Sequence, residues 1–553
     1  MSLPVYQSGL SHIETRVYVT DRENQRRDLI DNAEITVDAD WDIDRAGSKG
    51  QVNVEASAGV LTPGMWIAPY QVIIPETGDI VEQQKGHFRL GLPGSRFDDM
   101  MDFDGNYRHQ MEAFGGDIVD DIAAVRLPFT IYTPRNGHVM SDVQMLIKMA
   151  TAGILGDNMV SNHSFEDSGT DWTTSWYNGA SGVLSWTVPA GWDTPDGSRV
   201  VRFSFDASSP VDGGAYATSN SVPIPSGTDY LWTHGHSYSS GGMSMFMQIR
   251  FYDADGNPLP GNTIIQTRPS LATTNSFVTN AWSRQFGVGD VPAGAVTYRV
   301  WLWSIDRIGS RSVSAAWDDI QVRTCTNKPI SDGRINLPHS TATATTRIQT
   351  TGGGSIAYDA INADRLAAIG HTALYAEYDG RLTSRPSQSA SNATPARTYR
   401  RTDIRDYRII GEVERPSQDG NVPNHFIAVK ESFEDDVETM FANSYNTNPN
   451  DPFSTVNTGR VISANAIMSQ DAVSQAALQT VADAARDRQS LQEELMITVL
   501  PDPDLMAHDV VEIIDPAMPG VSGKWMVQYI RPGMRPENPL TELGLRRAYT
   551  GGL

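Results

Sequence analysis

The chain contains a single cysteine, Cys325, among its 553 residues. One thiol excludes an internal disulfide framework and any metal cage built from cysteines, and it indicates synthesis in a reducing cytoplasm. No apolar run approaches the roughly 20 residues that a helix needs to cross a bilayer, and the N-terminus lacks the basic and apolar blocks of a secretory signal. We therefore expect a lone buried thiol and no stable membrane insertion.

Known catalytic motifs are missing as well. The sequence has no Gly-x-Ser-x-Gly elbow, no His-Glu-x-x-His pair and no P-loop. His234 and His236 fall on one side of a predicted strand, but no cysteine or third histidine nearby completes a metal site, so we expect surface histidines. Paired carboxylates such as Asp120 and Asp121 are expected on solvated faces. We predict that the chain is not an enzyme.

Positive charge is scarce compared with negative charge. The chain has 43 Lys and Arg against 66 Asp and Glu, a net charge of -23. Affinity for nucleic acid comes mainly from Lys and Arg that neutralise phosphates, so this balance argues against a nucleic-acid-binding protein. Two interpretations stay open, namely plain solubility and a surface past which DNA slides without sticking.

The dominant pattern in the sequence is a succession of short strands. The chain has 47 Gly and 31 Pro, and turn pairs separate short alternating apolar runs, which predicts a fold that is mainly β with α+β parts. We predict a β-barrel domain at residues 1–115. We predict a second β-barrel at residues 396–553, which includes an Ala-rich helix from about Ser469 to Leu491.

A small α/β module is predicted between the barrels, in two pieces at residues 116–156 and 324–395. The first piece contains a helix from about Ser141, the predicted N-cap, to Ala152. The second piece centres on Gly352 to Pro386, which predicts a short helix followed by a hairpin that turns at Asp379-Gly380. Because that helix has one apolar face, we expect the two pieces to pack together.

Residues 157–323 differ in composition from both flanks. They hold nine of the twelve tryptophans and no lysine, and they are rich in Ser, Thr and Gly. They carry 9 Arg against 15 Asp and Glu, a net charge of -6, so -17 of the total lies on the flanks. We predict a self-contained β-sandwich inserted into a loop of the module, because insertions succeed at exposed loops.

The flanks resemble the tail hub proteins of long-tailed bacteriophages, also called baseplate hub, tail-associated or minor tail proteins. The resemblance rests on the order of four segments, which are ITVDADWDIDR (35–45), LYAEYDGRLTSRP (374–386), RDYRIIGEVERP (405–416) and ITVLPDPDLMAHDVVEIIDP (497–516). It implies a structural virion protein at the tail tip, a homotrimer whose barrels close the tail tube and gate the DNA channel. It also implies the distal tail protein, the tape-measure protein and other minor tail proteins as partners, with DNA only in transit. Many hub proteins carry a C-terminal lytic or fibre-like extension, and we expect none here because the sequence stops at Leu553, just after its last predicted hub strand.

The inserted segment resembles the jelly-roll carbohydrate-binding modules of polysaccharide-degrading enzymes. The resemblance rests on NMVSNHSFE (158–166), IRFYDADGNPL (249–259), VPAGAVTYRVWLW (291–303) and WDDIQV (317–322). It implies binding to a host cell-wall or cell-surface glycan, because pyranose C–H faces stack on flat aromatic rings. It also implies a structural Ca²⁺ held by Glu166 and Asp318, with Asp319 a weaker candidate.

The best candidates for sugar contact are aromatic residues near predicted turns, namely Trp172, Trp176, Tyr177, Trp192 and Trp282. Trp301 and Trp303 alternate with Leu302 in one strand and so share a face, which core packing would explain. Two other functions stay open for the whole chain. One is a polysaccharide-active enzyme with an internal carbohydrate-binding module, and the other is a peripheral receptor-binding adhesin.

Overall fold

The computed structural model covers most of the chain. It describes residues 10–30, 34–42, 49–57, 62–75, 80–91, 96–101, 107–188, 193–241, 243–260, 264–269, 281–338, 342–344, 347–350, 355–366, 369–386, 393–400, 422–430, 440–449, 451, 453–468, 475–489, 492–502, 504–516, 518, 520–533 and 540–548. The predicted strand at 405–416 and Trp192 lie outside these residues. No helix in the described part of the chain has both the length and the hydropathy of a membrane span.

The N-terminal part is composed entirely of strands, as its alternating apolar pattern predicts. They are β1 (Leu10–Thr20), β2 (Arg26–Leu29), β3 (Glu34–Asp42), β4 (Lys49–Ser57), β5 (Trp66–Pro75), β6 (Val81–Gln84), β7 (Phe88–Leu90), β8 (Arg96–Met101) and β9 (Tyr107–Gly116).

Two helices and one two-residue strand follow before the inserted segment begins. They are α1 (Ile118–Ala124), β10 (Tyr132–Thr133) and α2 (Val139–Thr151). The predicted N-cap at Ser141 is wrong. Helix α2 begins two residues earlier with His138 as its N-cap, and the Ser141 hydroxyl donates to the His138 carbonyl at 2.7 Å.

The described residues of the inserted segment form twelve strands. They are β11 (Trp172–Tyr177), β12 (Gly182–Ser185), β13 (Val201–Phe205), β14 (Gly213–Ser219), β15 (Val222–Pro223), β16 (Tyr230–Ser239), β17 (Ser244–Tyr252), β18 (Ile264–Gln266), β19 (Arg268–Pro269), β20 (Ala281–Asp290), β21 (Thr297–Asp306) and β22 (Val313–Cys325).

The remainder of the chain returns to mixed structure. Its elements are a 3-10 turn (Asp332–Arg334), β23 (Ile335–Asn336), β24 (Ile348–Gln349), α3 (Ala357–Ile361), a π turn (Asn362–Leu366), β25 (Tyr375–Ala376), β26 (Leu382–Thr383), β27 (Arg397–Arg400), β28 (His425–Lys430), β29 (Met440–Tyr445), α4 (Thr455–Thr458), β30 (Ile467–Met468), α5 (Gln475–Gln489), β31 (Gln492–Val499), β32 (Val510–Ile514), β33 (Gly523–Arg531) and β34 (Thr541–Ala548). The fold is mainly β, which confirms the predicted fold class.

The chain divides into two compact units. The first comprises Met1–Asp117, Glu377–Gly380 and Ser387–Leu553, and the second comprises Ile118–Ala376 and Arg381–Pro386.

The first unit is built on one 14-stranded sheet, and both predicted barrel regions contribute to it. Strand β3 pairs with β33, which aligns Trp41 with Ile530. The core is also shared, since Val17 and Phe88 belong to the same cluster of buried side chains as Trp525. The two barrels that the sequence predicts therefore have a common sheet and a common core.

The hairpin turn at Glu377–Gly380 belongs to this first unit. Gly380 has a φ of 72°, which suits the predicted Asp-Gly turn. Tyr378 is buried in the shared core, and the Lys85 ammonium lies 4.7 Å from the centre of its ring. Burial lowers the pKa of Lys85 to about 7.

The second unit contains the α/β module and the inserted segment. Strand β10 pairs with β24, and the Leu127 amide donates to the Ser355 carbonyl at 2.9 Å. Helix α3 packs on α1 and α2 through Ala357, Ala360 and Ile361. The two pieces of the module, separated in sequence by the inserted segment, therefore pack together as expected.

The inserted segment forms a β-sandwich of two six-stranded sheets. The front sheet has the order β11-β14-β21-β17-β18, with β15 also paired to β21, and the back sheet has the order β12-β13-β22-β16-β20-β19. Between them lies one apolar core that includes Phe203, Leu302 and Trp317. Cys325, at the end of β22, is a buried free thiol, as predicted.

Candidate functional site

The strands of the front sheet alternate between core residues and outward residues. In β21, Tyr298, Val300 and Leu302 point into the sandwich and are fully buried. Trp301 and Trp303 therefore point outward, because successive side chains of a strand lie on opposite faces. Both are partly exposed, so the assignment of this pair to the core is wrong.

The outward face of the front sheet carries a continuous group of aromatic rings, which we call the aromatic face. Its members are Tyr177, Tyr216, Phe246, Trp301 and Trp303. The Trp303 ring lies at the centre of the group. Its centroid is 4.9 Å from that of Tyr216, 5.8 Å from that of Trp301 and 6.0 Å from that of Phe246. Tyr177, which is 48% exposed, meets Trp303 edge-on at 5.6 Å.

Strand register explains why these rings meet. Tyr216 of β14, Trp303 of β21 and Phe246 of β17 are directly aligned across three neighbouring strands. Cross-strand neighbours have Cβ atoms only about 5 Å apart, so large side chains at aligned positions touch. The aromatic face is therefore set by pairing register and held by the regular part of the sheet.

Polar side chains border the aromatic face along β17. The Arg250 guanidinium lies 4.2 Å from the centre of the Trp301 ring, a cation–π contact, and its Nη2 donates to Gln248 Oε1 at 2.9 Å. Gln248 in turn donates to Gln266 Oε1 at 3.3 Å. The indole N–H groups of Trp301 and Trp303 find no acceptor among the described residues. Flat rings beside amide and guanidinium donors are the groups that bind a sugar.

The outward face of the back sheet is covered, and we call it the buried face. Residues of the α/β module lie on it. The His138 amide donates to the Trp282 carbonyl at 2.9 Å, and the Phe129 ring stacks on His234 with centroids 5.9 Å apart. The Arg323 guanidinium lies 3.9 Å from the centre of the Phe129 ring. The two outward faces of the sandwich therefore differ in that the described residues of the module cover the back one.

Arg284 of β20 is the centre of the buried face. Its guanidinium donates to Asp142 of α2 at 2.8 Å, to Asp319 of β22 at 2.8 Å and to the Tyr132 carbonyl at 2.7 Å. Burial alone would raise the pKa of both carboxyl groups, but the charge of Arg284 contributes to holding each below its ordinary value. Asp142 also lies in the first turn of α2, where the helix dipole favours an anion.

Asp319 reaches Arg284 because β22 bulges at this point. The strand aligns Gln321 with His234 but Asp318 with His236, so one residue is extra, and Asp319 has a φ of 51°. Such bulges re-aim side chains. His236 Nδ1 lies 3.5 Å from the Asp319 carboxylate, and His234 accepts a hydrogen bond from the Trp232 indole. Both histidines are buried, so the prediction of surface histidines is wrong.

The five residues predicted to contact sugar fall in different places. Trp172 is 7% exposed in the sandwich core, and Trp176 points inward, edge-on to Phe205 at 5.3 Å. Trp282 is 2% exposed under the α/β module. Trp172 and Trp282 are buried and offer no face to a ligand, so these two are corrected to packing residues, whereas Trp176 packs on the core with part of its surface exposed. Tyr177 joins the aromatic face, and Trp192 lies outside the described residues.

Glu166 and Asp318, the predicted calcium ligands, already bind backbone amides. Glu166 accepts from the Ser198 amide at 2.6 Å and from the Arg199 amide at 2.8 Å. Asp318 accepts from the amides of Asp196 at 2.9 Å and Asp319 at 2.8 Å, and burial raises its pKa well above the ordinary value. Each carboxyl group thus fixes a turn through bonds to backbone amides.

A different set of possible ligands converges nearby. Among the described residues, ligand atoms of His163, Asp196 and Asp319 lie within 4.8 Å of one another. Ca²⁺ prefers six to eight oxygen ligands, whereas this set offers two carboxylates and an imidazole, and Asp319 is already paired with Arg284. The arrangement therefore does not fit Ca²⁺.

Comparison with known proteins gives similarity to solved structures alone, since no family model and no curated protein matches the chain. The chain is similar to the enzymatically active domain of tailspike protein 4 of bacteriophage CBA120, at 18% identity and a TM-score of 0.23, with 31% of this chain and 21% of that chain covered. The similarity therefore spans about a fifth of the length of that chain.

Two carbohydrate-binding modules are also similar to part of the chain. One is the family 11 module of a cellulosomal cellulase of Clostridium thermocellum, at 11% identity and a TM-score of 0.21, with 32% of this chain and 98% of that chain covered. The other is TmCBM61 in complex with β-1,4-galactotriose, at 13% identity and a TM-score of 0.21, with 30% of this chain and 98% of that chain covered.

Proposed function

We propose that the chain is a structural protein of a phage tail tip whose inserted sandwich binds a host cell-surface glycan on the aromatic face. The observation that carries the glycan part is the cluster of Tyr216, Phe246, Trp301 and Trp303, aligned by strand register and left outside the core. Pyranose rings present C–H faces that stack on such rings while their hydroxyls bond to neighbouring polar groups.

The division between the two outward faces supports this proposal. The buried face anchors the sandwich to the α/β module through Arg284, so the sandwich presents its aromatic face in one orientation relative to the module. A rigid support suits recognition, because a surface that does not move on binding loses less conformational entropy.

The tail-tip part of the proposal rests on the resemblance of the flanks to tail hub proteins. It is supported by the one sheet that joins the N-terminal and C-terminal strands of the first unit, since a single continuous sheet suits the subunit of a ring. A homotrimer at the tip would contact the distal tail protein above, the tape-measure protein inside and other minor tail proteins below. The net charge of -17 on the flanks suits a channel that does not retain DNA.

A glycan array tests the binding proposal directly. The full chain should bind at least one class of bacterial surface glycan, and Trp303→Ala should lose that binding at least tenfold while still folding cooperatively. Trp186→Ala is the matched control, because it removes a tryptophan of the same sandwich that packs on Phe165 rather than on the aromatic face. Absence of binding by folded wild-type protein would contradict the proposal.

The tail-tip proposal has its own test. Mass photometry of the full chain should give a trimer, and negative-stain images should show a central ring, whereas a monomer or a peripheral rod would count against the hub and favour the adhesin. We also propose that the chain has no catalytic activity. Release of reducing ends from cell-wall glycans above background would contradict this and favour the enzyme.

A further inference from the structure

The aromatic face carries an unusual arrangement of charge. Arg250 of β17 and Arg299 of β21 are directly aligned on adjacent strands, and both point outward. Like charges in this position repel and destabilise a sheet. The arrangement therefore calls for a negative group that neutralises the pair.

The protein itself does not supply that negative group among its described residues. Arg250 bonds only to Gln248 and lies over Trp301 and Trp303, and Arg299 lies over the Tyr252 ring with 5.1 Å to its centre. Two other arginines of the sandwich do have carboxylate partners, since Arg307 pairs with Asp212 at 2.8 Å and Arg311 pairs with Asp306 at 2.9 Å.

The sequence also excludes a hidden partner within the sandwich. The residues of 157–323 that lie outside the described ranges are 189–192, 242, 261–263 and 270–280, and they contain no Asp or Glu. A domain with 15 acidic residues and 9 arginines has thus left two adjacent arginines without a carboxylate beside the aromatic face.

We infer that the glycan bound on the aromatic face is anionic, specifically a polysaccharide of uronic acids, and that Arg250 and Arg299 bind its carboxylates. This inference rests on the proposed glycan-binding function and adds the chemical class of the ligand. Guanidinium groups bind carboxylates through paired, charge-assisted hydrogen bonds, which are stronger than neutral ones.

The spacing of rings and charges favours a uronate over other anions. Trp301 and Arg299 are two residues apart on one strand, which is about 7 Å, so a sugar ring near Trp301 has its own or its neighbour's substituent near Arg299. In a uronic acid polymer the carboxylate is attached to the pyranose ring that stacks. A polymer of glycerol phosphate has the charge but no ring, and it would gain nothing from Trp303.

Calorimetric titration of the full-length protein with octagalacturonate and with its methyl ester tests the inference. The ester keeps the sugar rings and removes the charge. We expect the acid to bind at least tenfold more tightly than the ester, with an affinity that falls as salt rises from 50 to 500 mM because salt screens exposed charges. In Arg250→Gln/Arg299→Gln this preference should disappear, whereas Arg307→Gln, which alters a paired exposed arginine, should keep it.

Each alternative outcome overturns the inference in a recognisable way. Equal binding of acid and ester, lost in Trp303→Ala, would mean a neutral ligand and would leave the proposed glycan binding intact. Equally tight binding of a glycerol phosphate polymer would mean a site for anions of any kind. Binding of neither octagalacturonate nor its ester, together with a positive glycan array, would reject the uronate alone, and a negative array would reject the glycan-binding function as well.

Discussion

The two outward faces of the sandwich carry similar kinds of side chain in different surroundings. The buried face presents Trp232, His234 and Tyr238 along β16, and the aromatic face presents Phe246, Gln248 and Arg250 along β17. Both strands thus place aromatic and polar side chains outward, yet among the described residues of the α/β module contacts are seen only on the buried face. An outward row of aromatic residues therefore does not by itself mark a binding surface. What separates the faces is charge, since Arg284 finds two carboxylates whereas Arg250 finds none among the described residues.

Removing the central charge of the buried face should have the largest effect. Arg284→Met leaves the carboxylates of Asp142 and Asp319 buried without their partner, and breaking a buried ion pair in this way costs about 3–5 kcal/mol. The measurement is urea unfolding followed by tryptophan fluorescence. Arg307→Met is the control, because its exposed pair should contribute at most about 1 kcal/mol. Equal shifts in the two variants would contradict the special role of Arg284.

Paired tryptophan substitutions compare the faces directly. Trp282→Ala, on the buried face, should lower the free energy of unfolding by about 3–5 kcal/mol, as for other large aromatic residues in cores. Trp303→Ala should cost less than about half of that, because its ring is partly exposed, yet it should lose glycan binding at least tenfold. Thermal unfolding and array binding of the same preparations give both quantities. A variant pair in which stability and binding fall together would remove the distinction between the faces.

The pH dependence of stability should come from the buried face. Burial holds the pKa of His234 well below its ordinary value. The unfolded chain takes up this proton near pH 6.5 and the folded chain does not, so the stability from this group is present above pH 6.5 and is lost as the pH falls. Between pH 7 and pH 5 the loss is about 2 kcal/mol.

His234→Gln should therefore lose about 2 kcal/mol less than the wild type over this range. Urea titrations of both proteins at pH 7, 6 and 5 measure the difference. Glycan affinity should have the same pH dependence in both proteins, because His234 is far from solvent and belongs to the other face. Parallel stability curves would show that His234 takes up its proton in the folded protein.

Metal removal should have the smallest effect. Glu166 and Asp318 bind backbone amides, and the ligand set that converges nearby does not fit Ca²⁺. We expect dialysis against EDTA, or addition of millimolar Ca²⁺, to shift the thermal midpoint of the full chain by less than about 1 °C, since a ligand stabilises only through binding to the folded state. A calcium-dependent shift of several degrees would restore Glu166 and Asp318 as ligands.

Local patterns in the sequence predicted much of the fold. The alternating runs gave a mainly β chain, the Asp-Gly pair at 379–380 gave a hairpin turn, and the compositional change at residue 157 marked a segment that forms its own two-sheet core. The sequence did not predict that the two barrels share one sheet and one core. It depends on pairing between Trp41 and Ile530, and no local signal links segments so far apart.

The aromatic face could have been predicted from a local pattern in the sequence, whereas the buried face could not. Arg299 shares a face with Trp301 and Trp303, and a charge on that face indicates solvent, while Val300 and Leu302 form the apolar side. The buried face depends on Arg284 meeting Asp142 across 142 residues and on a bulge that turns Asp319 toward it. Long-range charge pairing and bulges leave no periodic pattern in a sequence.

Hydroxyl-radical footprinting of the full chain is the most direct test of whether the aromatic face binds glycan. The footprint is compared with and without the glycan that binds most tightly on the array. We expect the glycan to protect Phe246, Trp301 and Trp303, and to leave Trp232 and Trp282 unchanged because both are already buried. Protection confined to residues outside the aromatic face, with the oxidation of Trp301 and Trp303 unaltered, would contradict the assignment of this face as the glycan-binding surface.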